Sequence, residues 1–270
     1  MNEILTERSG SILRVTLNRP ARKNAMTSAM YNTFADILNE AAKDDDIRVV
    51  IWDGAGDSFS AGNDVEDFLK NPPGPGESPQ ARLGNALLNF DKPVIAAVKG
   101  AAVGGGTTLL THCGFVYAGE STKFQLPFVN LGLVPEFGSS WSLPMSSGYI
   151  RAAELFMVGE PFNAELAVEI GLVTRVVPDS ELLATATATA EKLAAKPIGA
   201  LRAGKKLLRR SSREQLEQAI KAEAEEFTTR VRSAEVKEVF TAFLEKRRPD
   251  FTKAKEAATA NQGSNTAAQA

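Results

Sequence analysis

The stretch Val94–Leu110, VIAAVKGAAVGGGTTLL, constrains this chain most. An apolar run at Val94–Val98 reads as a buried strand, and Gly100 interrupts it. Three consecutive glycines, Gly104, Gly105 and Gly106, then lead into a helix-compatible segment. Glycines at such a junction let backbone N–H groups approach a ligand with no side chain in the way. A helix starting there directs its free N–H groups and its dipole at whatever sits in front of it, a site suited to a developing negative charge. No acid follows the glycines; Thr107 and Thr108 stand there instead.

Around this junction the patterning alternates. Ile12–Leu17 places Leu13, Val15 and Leu17 on one side and reads as a half-buried strand. Thr27 can cap a helix carrying Met30, Phe34, Ile37 and Leu38, ended by Asp44, Asp45 and Asp46. Val49–Trp52 is a short strand closed by Gly54 and Gly56. Asn71–Pro79 is a Pro/Gly-rich loop, and another apolar run lies at Phe115–Tyr117. Beyond Ser147 the chain reads as helices at Tyr149–Val158, Ala164–Ile170, Glu181–Ala195, Gly199–Leu208 and Arg213–Leu244, the last broken near Ser233. Ser211 with Glu214 forms a capping-box start, and Leu216, Ile220, Phe227 and Val231 supply the apolar stripe that follows. Strands alternating with helices, then a helical C-terminal part, give an α/β class.

Composition removes several functions. The 270 residues are 43% hydrophobic and 24% charged, with formal net charge −2, so no concentrated basic face announces nucleic acid. A single cysteine, Cys113, precludes an intrachain disulfide and suits a reducing compartment. With one histidine, His112, no metal site built on several His or Cys ligands is available. His112 reads as a core histidine and Cys113 as a small buried residue. The basic run Lys205, Lys206, Arg209 and Arg210 reads as the wet face of one helix. No run approaches the roughly 20 apolar residues of a membrane span, and MNEILTERSGS has no signal-peptide pattern. The expectation is a cytoplasmic protein, or one of an organelle matrix, with no nucleic-acid or membrane partner.

Three segments read together carry a resemblance: Leu17–Pro20 continuing to Arg22–Met26, then Ser58–Asp64 (SFSAGND), then Lys92–Gly106. In this order and spacing they resemble the crotonase superfamily, the enoyl-CoA hydratase/isomerase family, and the likeness runs on through Phe156–Gly159 and Ala167–Val177 to Phe243–Arg247. The resemblance implies a spiral of repeated ββα units over residues 1–195 and a helical trimerisation region over 196–251; the tail at 252–270, rich in Ala, Lys, Thr and Gln with no apolar face, reads as disordered from its composition. It implies a homotrimer or a dimer of trimers. It also implies an acyl-CoA whose thioester oxygen accepts bonds from the N–H groups of Asn63 and Gly105, with no further cofactor. By the same resemblance Arg22 or Lys23 meets the CoA phosphates. Ala25, Ala61, Gly62, Asp64, Val65 and Gly104 line its path, and Lys253 reaches a neighbouring subunit's CoA.

Hydratases of this family use two carboxyl groups to handle water. The matching positions here are Thr108 and Phe128, so both acids are missing, and Phe128 cannot move a proton. One acid stands nearby instead. Pro127-Phe128, Leu131-Gly132, Pro135-Glu136 and Ser139-Ser140 resemble the peroxisomal-type Δ3,Δ2-enoyl-CoA isomerases, in which the corresponding glutamate is the single base. The implied reaction, a step in the β-oxidation of unsaturated fatty acids, is a proton transfer from C2 to C4 of a 3-enoyl-CoA by Glu136. Phe128, Val134 and Phe137 supply apolar surroundings that raise a carboxyl pKa. Three alternatives stand beside it: an isomerase of another, ring-derived acyl-CoA, a hydratase using Glu136 alone, and a non-catalytic CoA- or partner-binding module.

Overall fold

The computed structural model describes residues 2–71 and 76–252, with the side chains of Phe243 and Leu244 left aside. The tail from residue 253, with Lys253, lies outside the described residues, as does the centre of the Pro/Gly loop. The first half contains β1 (Ile4–Ser9), β2 (Ile12–Leu17), α1 (Ser28–Lys43), β3 (Val49–Gly54), α2 (Val65–Lys70), α3 (Pro79–Asn89), β4 (Val94–Val98), β5 (Ala101–Val103) and α4 (Gly105–Thr108). There follow β6 (Phe115–Gly119), β7 (Lys123–Gln125), α5 (Ser139–Ser147), α6 (Tyr149–Ala153), β8 (Phe162–Asn163), α7 (Ala164–Glu169) and β9 (Arg175–Val177). Helices α8 (Leu182–Ala194), α9 (Ile198–Arg209), α10 (Arg213–Arg230) and α11 (Ala234–Leu244) complete the described chain.

Six strands form one sheet in the order β1-β2-β3-β4-β6-β9, parallel except for the β1–β2 hairpin. A smaller sheet runs β5-β7-β8. The chain steps from the large sheet to the small one at Gly100, where φ is +59° and a Cβ would lie 1.9 Å from the Asp57 carbonyl oxygen. This stepping from sheet to sheet between helices is the spiral expected of a crotonase fold.

The large sheet is covered on both faces. Helices α1 and α3 pack over one side around Phe34, Trp52 and Phe59, whose rings lie 5.0 and 4.8 Å apart in sequence. Helix α8 covers the other through Leu182, Ala186, Ala190 and Leu193 against Val49, Ile51 and Ile95. Strand β2 is therefore buried on both faces rather than half-buried, because Ile12 on its second face packs with the α8 cluster. Thr27 caps α1 as expected, accepting from the Met30 N–H at 3.2 Å.

The long C-terminal helix breaks at Val231–Ser233, and Ser233 Oγ accepts from the Val236 N–H to open α11. The capping box at Ser211 does not form. Ser212 is the N-cap, in helical φ/ψ, and its hydroxyl donates to the Arg209 carbonyl instead.

The basic run on α9 is not simply a wet face. Lys205 Nζ turns inward and donates to the carbonyls of Phe90 (2.6 Å) and Lys92 (2.7 Å). Arg209 donates to the His112 carbonyl at 2.6 Å. Both reach the negative C-terminal ends of helical segments, where a cation is favoured. Burial, reinforced by Arg209, pushes the Lys205 ammonium down to about 7. No helix among the described residues is long and apolar enough to cross a membrane.

Candidate active site

Two turns converge on one place. In the first, residues 60–64 run beside β5 and beside Met26. The Met26 N–H donates to the Gly62 carbonyl and the Asp64 N–H donates to the Met26 carbonyl, at 2.8 and 2.9 Å. In a parallel bridge of this kind the residue between them, Asn63, keeps its own N–H free of that partner. The neighbouring N–H groups are used, Ala61 by the Lys23 carbonyl and Gly62 by Ser60 Oγ. Gly62 lies at φ +85°, and a Cβ there would stand 2.7 Å from the Val103 carbonyl oxygen, so the first turn presses directly on the second.

In the second turn Gly104, at φ +54°, N-caps α4 and donates its N–H to the Gln125 carbonyl. Gly105 opens the helix, and its N–H has no preceding-turn acceptor. Neither the Asn63 nor the Gly105 N–H has an acceptor among the described residues. The hydroxyls of Thr107 and Thr108 turn back onto the carbonyls of Ala102 and Gly104. Phe128 packs against Phe156 with ring centroids 6.1 Å apart. The two positions where hydratases carry acids thus face backbone and apolar side chains.

Glu136 stands over this junction. Its Oε1 lies 3.0 Å from the point a Cβ on Gly105 would occupy, and the Tyr31 hydroxyl lies 3.1 Å from the same point. Both oxygens are buried without a hydrogen-bond partner among the described residues. Burial, with a smaller contribution from Glu223, pushes the Glu136 carboxyl up to about 8. Burial, and then Glu136, raise the Tyr31 phenol well above its ordinary value, so it stays a donor. The turn carrying Glu136 is tightly specified. Phe137 adopts φ +60°, costly for an aromatic residue, and Gly138 follows at +74°. Ser139 Oγ donates to the Glu136 carbonyl, the Phe137 carbonyl pairs with His112 Nε2 at 2.8 Å, and Glu223 accepts from the Gly138 and Ser140 N–H groups.

Two clefts meet at Asn63, Glu136 and Phe227. One, enclosing about 820 Å³ of empty space partly open to solvent, lies between α3 and α10 and is walled by Ala81, Gly84, Phe137 and Ile220. The other, about 590 Å³, is lined by Ala61, Gly62, Val65, Gly104 and Phe128, with Phe68, Phe227 and Phe240. Four of the residues expected to line the CoA path, Ala61, Gly62, Val65 and Gly104, therefore fall together with Phe128. Arg22, Lys23, Ala25 and Asp64 do not line either cleft. Arg22 is exposed and paired with Glu66 at 2.9 Å, and Lys23 is exposed in the left-handed region. The Ala25 carbonyl and the Asp64 carboxylate both accept from Arg19, and Asp64 also N-caps α2. Asp64 is thus tied into the fold beside the site.

The model of the enoyl-CoA hydratase/isomerase family matches residues 7–254. The chain belongs to this family. It is 36% identical to 1,2-epoxyphenylacetyl-CoA isomerase of Escherichia coli, over 93% of this chain and 99% of that one. It is 37% identical to human enoyl-CoA delta isomerase 2 over 82% of this chain, which spans 57% of that longer protein. Relatives of comparable similarity are named as hydratases. Among solved structures, an enoyl-CoA hydratase/isomerase from Pseudoalteromonas atlantica superposes with a TM-score of 0.88 at 38% identity, covering 92% of this chain and 99% of its own. This family member is an α/β protein of crotonase fold, and acyl-CoA thioesters are the substrates its family handles.

Sequence reading missed Tyr31 and Glu223. Tyr31 sits beside Met30 in the apolar stripe of α1 and carries no local signal of a polar task. Glu223 lies among the acids of α10, and only the packing of α10 on α5 reveals it.

Proposed function

We propose that this family member is a Δ3,Δ2-enoyl-CoA isomerase. The observation carrying this reading is Glu136, a buried carboxyl with an unpaired oxygen that stands beside Asn63 and Gly105 where both clefts meet. Glu136 as carboxylate takes a proton from C2 of a 3-enoyl thioester. The C–H electrons delocalise into a dienolate whose thioester oxygen accepts the Asn63 and Gly105 N–H groups. The protonated Glu136 then delivers its proton to C4, the 3,4 double bond becomes 2,3, and the base is regenerated. No water is activated and no cofactor is needed beyond the CoA of the substrate. Buried aromatic walls keep water from adding to the product.

The remaining assignments complete this reading. Arg22 or Lys23, on the exposed rim, meets the CoA phosphates, and Ala61, Gly62, Val65 and Gly104 line the thioester path. The subunits assemble as a trimer or a dimer of trimers, and the enzyme serves the β-oxidation of unsaturated acyl chains.

A second reading is favoured by the ring of Phe68, Phe128, Phe227 and Phe240 in one cleft and by the epoxyphenylacetyl-CoA isomerase relative. In that reading the same base and oxyanion donors act on a ring-derived acyl-CoA. One set of assays separates them. The wild-type protein is given 3-hexenoyl-CoA, crotonyl-CoA and 1,2-epoxyphenylacetyl-CoA, and absorbance of the conjugated thioester is followed. Conjugation of hexenoyl-CoA without hydration of crotonyl-CoA is the expected result. Hydration alone contradicts the isomerase reading, and turnover of the epoxide alone selects the second one.

A further inference from the structure

Glu136 has a second buried carboxyl close by. Glu223 projects from α10, 87 positions further along the chain, into the cleft that Glu136 also lines. Its two oxygens are both engaged: Oε2 accepts from the Gly138 N–H at 2.6 Å and Oε1 from the Ser140 N–H at 2.8 Å. These are donors at the N-terminus of α5 that the helix itself leaves unused, and its own N-cap, Gly138, offers no side chain. A carboxylate there satisfies two orphan N–H groups and meets the positive end of the helix dipole. The two acids therefore differ in kind. Burial raises the Glu223 carboxyl as well, but the Gly138 and Ser140 N–H groups work against that rise; Glu223 has a donor on each oxygen, the arrangement that suits an ionised carboxylate, whereas Glu136 Oε1 has none among the described residues.

We propose that Glu223 is a positioning residue for the proton-carrying acid: it fastens the turn that presents Glu136, and its fixed negative charge makes Glu136 the one of the pair that takes up the proton. The inference rests on Glu136 being the proton carrier proposed above. Mechanically, Glu223 grips the residues two and four beyond Glu136, on a turn that Phe137 enters with a positive φ. Electrostatically, two carboxylates sharing a low-dielectric site do not both ionise readily, and the one with better hydrogen bonds keeps its charge. The other groups facing Glu136 do not replace this effect. Tyr31, from α1, is a neutral phenol. His112 meets the turn through the Phe137 carbonyl, and burial together with Arg209 lowers it to about 4, leaving it uncharged. The α3 side of the cleft contributes the neutral Ser78 and Gln80.

The test is spectroscopic and needs no turnover. Infrared difference spectra of the full-length protein, recorded from pH 5 to 10, report protonated buried carboxyls directly. The wild type is expected to show one such band disappearing with a midpoint near pH 8. Glu136→Gln is expected to abolish it, and Glu223→Gln to move it down by at least one pH unit. Turnover of 3-hexenoyl-CoA by Glu223→Gln is expected to fall about 10-fold or more, with its pH midpoint displaced in the same direction. A band that survives in Glu136→Gln makes Glu223 the proton acceptor and overturns the proposal. So does a midpoint left near 8 in folded Glu223→Gln. Should Glu223→Gln not fold, the comparison of wild type with Glu136→Gln still decides which acid titrates. If the infrared pattern holds while no 3-enoyl-CoA is turned over, the isomerase reading fails and the acid pair stands.

Discussion

Buried charge occurs in two regions of this molecule, with opposite handling. Under α9, Lys92, Lys205 and Arg209 are turned toward backbone carbonyls: Ala41 and Asp44 for Lys92, Phe90 and Lys92 for Lys205, His112 for Arg209. The Ala41, Asp44, Phe90 and His112 carbonyls lie at the ends of helical segments, so each cation meets a negative pole; Lys92 and Lys205 each satisfy two carbonyls and Arg209 one, with its Nη1 left without a partner among the described residues. At the cleft junction Glu136 has no such partner for Oε1. The other buried acids resemble the cations. Asp53 is held by Arg14 and Thr16, Asp64 by Arg19 and the α2 N-terminus, and Glu223 by the α5 N-terminus. Charge in this interior is thus ordinarily structural. A buried carboxyl with an unpaired oxygen, at the meeting of two clefts, is the departure that marks chemistry.

The largest effect that can break this contrast is at Glu136. Glu136→Gln is expected to lower isomerisation at least about 10³-fold, since a sole proton carrier is removed. In the wild type the base must be ionised to act, so kcat/KM is expected to fall as pH drops below about 8. A pH–rate profile flat from 6 to 9 would count against Glu136. The sign for stability is opposite. A carboxyl raised from 4.5 to about 8 favours the folded state below pH 4.5, and that advantage is lost as pH rises to 8. Denaturant titration at pH 9 should therefore find Glu136→Gln more stable than wild type, by about 2–4 kcal/mol.

Gly105→Ala comes next. Its backbone is permitted for alanine, but the new Cβ would meet Glu136 Oε1 at 3.0 Å and the Tyr31 hydroxyl at 3.1 Å. Glu136 and Tyr31 would have to give way by a few tenths of an ångström, and since a misplacement of about 1 Å can cost about 10²-fold, a loss of about 10-fold in rate is expected. Steady-state kinetics should show that loss with thermal stability little changed; a rate within a factor of two would show that Glu136 is not held against Gly105.

Lys205→Met tests the structural side. It strips a charged donor from two carbonyls and is expected to destabilise the fold by about 2–3 kcal/mol, while leaving the pH–rate midpoint in place. A shifted midpoint would mean that the two regions are coupled electrically. His112 gives a related and smaller effect on pH. Burial, with Arg209, lowers it from 6.5 to about 4, so its contribution to stability is present above pH 6.5 and disappears as pH falls through 4. Thermal melts between pH 4 and 7 should show that loss in wild type and a weaker one in His112→Gln. The smallest change is Arg22→Ala, which breaks an exposed pair with Glu66 and should alter stability by under about 0.5 kcal/mol. A KM for acyl-CoA raised several-fold would place Arg22 on the phosphates, and an unchanged KM would remove it.

The contrast also explains what could be read from the sequence. Gly104–Gly106, Asn63 and Glu136 sit in turns, where glycine, proline and polar residues follow local rules, and the fold spaces them as expected. The helices α1 and α7–α11 were legible from their apolar repeats. Strands β5, β7, β8 and β9, of two or three residues each, are too short for an alternating pattern to register. Helix α3 starts at Pro79 directly out of a loop composition and hid its Leu83 and Leu87 face. Lys205 and Arg209 read as solvated charges, and Glu223 was not singled out at all, because their partners are carbonyls and N–H groups far away in sequence, and every residue carries those. Tyr31 was missed for the same reason in reverse: its apolar neighbours on α1 account for the ring and conceal the hydroxyl.

The most direct measurement follows the proton. A 3-enoyl-CoA deuterated at C2 is converted in a single turnover, in ordinary water, by wild type and by Glu136→Gln, and the product is analysed for deuterium at C4. Transfer by one buried carboxyl predicts deuterium at C4 in a fraction of the wild-type product, and no product from the variant. Isomerisation that persists in Glu136→Gln, with C4 hydrogen drawn wholly from solvent, would contradict it.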